Sequence, residues 1–175
     1  MELVSCKVTD FCYEDLAVMS YVENVARPKT ESMIGHYFAK KFIADRLPSK
    51  VKSVKFKYTE KGKPYYDDEH YFSISHTGGF VFVSYSDKPT GVDCELVRNI
   101  NPRFVYKVLA EDEINENADF SIEFLKAWTL KEAYLKLKGE KTGEFQSVSK
   151  QNLSPTHTII TNVSEEYIMT ALFEE

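Results

Sequence analysis

Two carboxylates stand two residues apart in Gly91-Val92-Asp93-Cys94-Glu95. Alternate residues of a strand face the same side, roughly 6.5–7 Å apart. Asp93 and Glu95 would thus offer two hard oxygen donors to one point, with Val92, Cys94 and Leu96 turned inward. Water and a phosphate would complete a shell suited to Mg²⁺; the plainer alternative is ordinary alternation on a solvated face. Further along, Trp128-Thr129-Leu130-Lys131-Glu132-Ala133-Tyr134-Leu135-Lys136 puts Glu132 and Lys136 four apart on one helical face. Ala127, Leu130, Tyr134 and Leu137 form an apolar stripe roughly opposite. Glu132 and Lys136 either pair with each other at the surface, or Glu132 joins the metal while Lys136 reaches a phosphate as a mobile charge. Trp128 reads as a packing anchor. In Phe72-Ser73-Ile74-Ser75-His76-Thr77-Gly78, His76 at a strand end beside hydroxyls is either a phosphate donor or a structural histidine at a hairpin. Lys63, in Gly62-Lys63-Pro64, is a loop cation of a kind that is ordinarily solvated.

Other chemistries lack their patterns. The chain has no G-x-x-x-x-G-K-[ST] or G-x-G-x-x-G loop, so neither a P-loop nor a dinucleotide fingerprint is supported. It has no G-x-S-x-G elbow for a serine hydrolase. Cys94, flanked by two acids on the inward face, is poorly placed to ionise and is not read as a nucleophile.

The elements that must hold these residues follow from periodicity. Residues 2–8 read as a first strand, and 14–26 and 30–46 as helices, the second carrying Met33, Ile34, Tyr37, Phe38 and Phe42 at helical spacing. Leu47-Pro48-Ser49 ends it. Val54–Thr59 alternates like a strand. Tyr71–Ser75 and Phe80–Ser86 read as a hairpin joined by His76-Thr77-Gly78-Gly79. A strand through Val92–Leu96, a long helix from Phe120 to Lys138 stopped by Gly139, and strands at 156–162 and 167–173 complete an α+β arrangement of antiparallel strands. No internal repeat is evident.

The chain has 175 residues, 43 % hydrophobic and 14 % aromatic, enough for a sizeable core. Its net charge of −5 disfavours a globally cationic nucleic-acid binder. Between Lys40 and Lys63, however, nine basic residues face only two acids, Asp45 and Glu60. Such a cationic strip suits a polyanionic ligand or an acidic protein partner, or is simply a solvated segment. Three cysteines without metal spacing point to a reducing, cytoplasmic setting. No apolar run approaches a membrane span, and MELVSCKVTD has no leader pattern.

Taken together, Gly62-Lys63-Pro64-Tyr65, Phe72-Ser73-Ile74-Ser75-His76, Gly91-Val92-Asp93-Cys94-Glu95 and Trp128 through Lys136 resemble, in order and spacing, the motifs of the 4′-phosphopantetheinyl transferase family. The resemblance is to its longer single-chain, surfactin-synthetase-activating branch and covers about residues 55–140. It implies two similar lobes, 1–88 and 89–175, each a small antiparallel sheet on a long helix, with coenzyme A and Mg²⁺ between them. The implied reaction moves phosphopantetheine from coenzyme A to a serine of an acyl, peptidyl or aryl carrier protein, releasing adenosine 3′,5′-bisphosphate. By the same resemblance Asp93, Glu95 and Glu132 match the metal ligands, and Glu132 also the general base. Lys63, Ser75 and His76 match positions that hold the nucleotide, His76 at its 3′-phosphate, and Lys136 matches a lysine on the pyrophosphate. Lys131 stands in the motif without an assigned role. The chain departs from the pattern at Ser73 and Thr77, where Asn and Ser are usual, and at Glu31, where an arginine often stands. A monomer is expected. A catalytically idle relative that binds carrier protein or coenzyme A, and a Mg²⁺-dependent coenzyme A pyrophosphatase, are the rival readings.

Overall fold

The computed structural model describes residues 1–12, 29–104, 108–109, 113, 119–141 and 148–175. The helix expected at 14–26 lies outside the described residues. Strand β1 (Glu2–Lys7) is followed by helix α1 (Thr30–Arg46), the short strands β2 (Lys57–Tyr58) and β3 (Pro64–Tyr65), and strands β4 (Tyr71–Thr77) and β5 (Phe80–Ser86). Then come β6 (Thr90–Leu96), the long helix α2 (Phe120–Lys138), a single turn α3 (Lys150–Leu153), β7 (His157–Val163) and β8 (Tyr167–Glu174).

The mixed α+β architecture expected from the sequence is what forms. Two three-stranded antiparallel sheets, ordered β1-β5-β4 and β6-β8-β7, stand beside the small β2–β3 ribbon. Among the described residues the strands of these two sheets follow one order: a strand, a long helix, then two strands of the same sheet, the last of them central. The repeat is one of topology, invisible as sequence similarity.

The residues of β5 alternate between two packing partners, one on each face of the strand. Val81, Val83 and Tyr85 of β5 pack with Ile34, Phe42 and Ile43 of α1. Phe80 and Phe82, on its other face, meet Val92, Cys94, Met169, Ala171 and Phe173 of the second sheet. Each helix covers the outer face of its own sheet; Leu130, Ala133 and Leu137 of α2 pack with Leu172 of β8. β5 is therefore buried along its whole length.

Local signals set the boundaries. α1 ends before Leu47-Pro48, where the proline disfavours helical backbone at Leu47 (φ −110°, ψ 151°). Asp119 caps α2, accepting from the backbone N–H of Ser121 and Ile122, and Gly139 at φ 71° closes it. Two details differ from expectation. The strand at 54–59 shortens to Lys57–Tyr58, with a 3₁₀ turn at Val51–Ser53 before it. The hairpin turn is only Gly78-Gly79, with Thr77 paired to Phe80, so His76 and Thr77 belong to the strand. Both glycines have positive φ, as a two-residue turn of matching twist needs.

One contact decides how close α2 lies to β6. A Cβ on Gly91 would fall 1.9 Å from the Ala133 carbonyl oxygen and 2.7 Å from the Leu137 nitrogen. Only hydrogen fits there, so the helix backbone rests directly on the strand.

Candidate functional site

Because Gly91 lets α2 down onto β6, side chains two residues along the strand and one turn along the helix meet. Asp93 is 7 % exposed. Its Oδ1 accepts from Lys136 Nζ at 2.8 Å and from Ser75 Oγ at 3.0 Å. Lys136 Nζ also donates to Ser75 Oγ at 2.9 Å. Ser75 accepts in addition from the Cys94 N–H, and Ser73 from the Val92 N–H, each at 3.2 Å. Two β4 hydroxyls thus occupy backbone donors of β6 and tie the two sheets at the place where Asp93 projects.

Lys136 therefore pairs with Asp93 across the helix–strand contact, rather than along the helix with Glu132. Glu132 stands half-buried beside the pair. Burial raises its carboxyl above the usual range, the Asp93 and Glu95 charges add to that, and the Lys136 ammonium opposes it. Burial also pushes Asp93 up, against the ammonium and hydrogen bonds that favour its charge. Burial takes the Cys94 thiol up to about 12, consistent with an inert side chain.

Next to this group opens a cavity of about 410 Å³, walled by Glu132, Lys136, Phe72, His76, Lys63 and His36 among others. Lys61 and Lys141 add cations to its wall. Lys63 is not a solvated loop cation: it is largely enclosed and donates to the Leu137 carbonyl at 3.1 Å, and desolvation brings its ammonium down to about 8. His76 reaches the cavity with Nδ1 3.2 Å from the Glu31 carboxylate. Ser75 does not line it, being committed to Asp93, Lys136 and Cys94.

Glu95 pairs with Arg98 at 2.7 Å. Among the described residues, no three carboxylate, imidazole or thiol groups gather closely enough to hold an ion. In kind, Asp93, Glu95 and Glu132 do fit a hard divalent cation. All are oxygen donors, and each of the other two charges raises the Glu132 carboxyl. Gathering them requires Lys136 and Arg98 to release the carboxylates they now hold.

Sequence reasoning missed several features. The cationic strip is not one face: Lys41 pairs with Asp45, Arg46 with Glu2, and Lys40 is buried over the Phe56 ring, while Lys61 and Lys63 reach the cavity. Lys131, 0 % exposed, pairs with Glu113 at 2.8 Å and donates to the Val148 carbonyl, so it ties α2 to segments on both sides of it in the chain. Nothing in helical periodicity marks a lysine as buried. Trp128 stacks on Phe124, as a packing anchor would.

Two family models match the chain almost end to end. One, described as 4′-phosphopantetheinyl transferase, N-terminal, matches residues 13–88; the other, 4′-phosphopantetheinyl transferase superfamily, matches 89–173. The chain is 29 % identical over 115 residues to the 4′-phosphopantetheinyl transferase gsp of Aneurinibacillus migulanus, covering 62 % of this chain and 48 % of that protein. It is 26 % identical over 116 residues to the 4′-phosphopantetheinyl transferase Sfp of Bacillus subtilis (strain 168), covering 62 % and 52 %. The chain spans about half the length of the curated relatives it matches. Among the described residues, no helix is long and apolar enough to cross a membrane.

Proposed function

The chain belongs to the 4′-phosphopantetheinyl transferase superfamily, and from that premise we propose that it transfers the 4′-phosphopantetheine arm of coenzyme A to a serine of an apo acyl, peptidyl or aryl carrier protein. The observation that carries this reading is the meeting of Asp93, Glu132 and Lys136 beside a cavity walled by cations. Lys63 holds the nucleotide end, which His76 also lines, and Lys136 the pyrophosphate. Ser75 acts through Asp93 and Lys136, whose side chains it fixes. Residues 1–88 and 89–175 form the two lobes, with the cavity at their junction. The three free cysteines accord with a cytoplasmic protein, and we take it as a monomer.

The carrier serine attacks the β-phosphorus of coenzyme A. A new P–O bond forms to the serine oxygen, the pyrophosphate bridge breaks, and adenosine 3′,5′-bisphosphate leaves. A serine hydroxyl is a poor nucleophile at neutral pH, so a carboxylate must take its proton. Glu132 is that base: it borders the cavity, and its raised carboxyl accepts a proton more readily than a solvated one. Lys136 neutralises charge growing on the pyrophosphate oxygens once it leaves Asp93. Asp93, Glu95 and Glu132 would hold a divalent ion, Mg²⁺ by their chemistry, which supplies further neutralisation there.

The test is to incubate the protein with coenzyme A, Mg²⁺ and apo carrier proteins of fatty-acid, polyketide and peptide synthesis. The expected result is the mass gain of one phosphopantetheine on a carrier. Free phosphopantetheine without a carrier would indicate the pyrophosphatase instead, and no reaction with any carrier an idle binding module.

The Lys63 ammonium gives a second expected outcome. Held at about 8 without an anion, it is driven to the charged form when a phosphate arrives. Affinity for adenosine 3′,5′-bisphosphate should therefore fall as pH rises through that value, and Lys63→Met should flatten the profile. Calorimetric titrations across this range check it; identical profiles for the two proteins would remove Lys63 from the nucleotide site.

A further inference from the structure

Glu31 occupies the first turn of α1, and its carboxylate bridges two elements of the opposite hairpin. One oxygen lies 3.2 Å from His76 Nδ1; the other accepts the Gly79 N–H at 2.6 Å. His76 is fixed on β4 and Gly79 in the two-residue turn that follows, so the carboxylate is held between two donors. The Nδ1 side of His76 is thereby committed. An anion approaching this imidazole meets a full negative charge next to it, and any positive charge on the ring already has a partner. Of the other cavity cations, Lys61 pairs with Glu140 and Lys136 with Asp93, while Lys63 donates to a neutral group, the Leu137 carbonyl. An anion arriving at Lys63 therefore competes with a neutral oxygen, whereas one arriving at His76 competes with a charged carboxylate.

We propose that Glu31 sets nucleotide specificity by occupying, at His76, the place a ribose 3′-phosphate needs, so that this protein uses 3′-dephospho-coenzyme A nearly as well as coenzyme A. The proposal rests on the reading of the cavity as the coenzyme A site. An anionic residue near a binding group selects by repulsion, and removing it restores the discrimination it suppressed. Glu31→Gln keeps an acceptor for the Gly79 N–H while deleting the charge.

The experiment compares wild type, Glu31→Gln, and Glu31→Gln with His76→Ala. Transfer is measured with both coenzymes. Binding of adenosine 3′,5′-bisphosphate and of AMP is measured separately by calorimetry. Wild type should favour the 3′-phosphorylated ligand by no more than about threefold, Glu31→Gln by roughly tenfold or more, and the double variant should return toward the wild-type ratio. The ratio decides, because damage to the Gly79 turn would weaken both ligands alike. A strong wild-type preference for the 3′-phosphate, or a ratio unchanged in Glu31→Gln, overturns the role of Glu31 while leaving the transferase reading intact. Failure of the wild type to bind either nucleotide overturns both.

Discussion

Glu132→Gln is expected to lower phosphopantetheine transfer by roughly 10²- to 10⁴-fold, the range typical of a lost general base, and at the same time to make the protein harder to unfold. The two effects share one cause. Burial and the neighbouring Asp93 and Glu95 charges raise the Glu132 carboxyl above its usual range. The folded protein therefore binds a proton there more tightly than the unfolded chain does. Such a group costs stability above its folded pKa, and the cost disappears as pH falls through that value. Gln carries no such cost. Solvent screening of the exposed half of Glu132 keeps the gain at neutral pH small, and it shrinks toward zero in acid. Urea titrations at several pH values, beside the carrier assay, separate the outcomes. Near-normal transfer would remove Glu132 from the chemistry; lost transfer with lowered stability would mean that its role is structural.

Gly91→Ala is expected to produce the largest loss of stability among single methyl additions in this fold. Its Cβ would press on helix backbone, which cannot rotate aside as a side chain can. Overpacking a core position costs typically about 1–3 kcal/mol, and here relief requires all of α2 to shift. Gly91 is not among the positive-φ glycines, so the effect is steric rather than conformational. Lifting α2 also carries Lys136 away from Asp93 and Glu132 away from both. Transfer should fall with stability, and the stability losses of Gly91→Ala and Lys136→Met should combine to less than their sum. Unfolding midpoints of the two variants and their combination check this. A Gly91→Ala protein that unfolds where the wild type does would mean that helix and strand are not in backbone contact.

The chemistry of individual stretches was legible before any coordinates. Period-two alternation placed Asp93 and Glu95 on the face opposite Val92 and Cys94, and the buried core between the sheets contains Val92 and Cys94. The long helix closes at Gly139, where the sequence placed its end, because capping acts within a few residues. The hairpin glycines were equally plain, though not that the turn needed just two residues.

What escaped the sequence is every relation between distant stretches. The i,i+4 spacing of Glu132 and Lys136 is compatible with a surface pair, and nothing local reveals that Lys136 reaches Asp93, 43 positions away. Nor does composition show Ser75 shut into that pair, Lys63 drawn onto the end of α2, or the Glu31 carboxylate lying on His76. Periodicity fixes which side of an element a residue occupies, because it follows from backbone geometry alone. Which sides then meet depends on how closely two backbones can approach. At Gly91 that distance is set by a missing Cβ, whose consequence exists only once helix and strand are packed together.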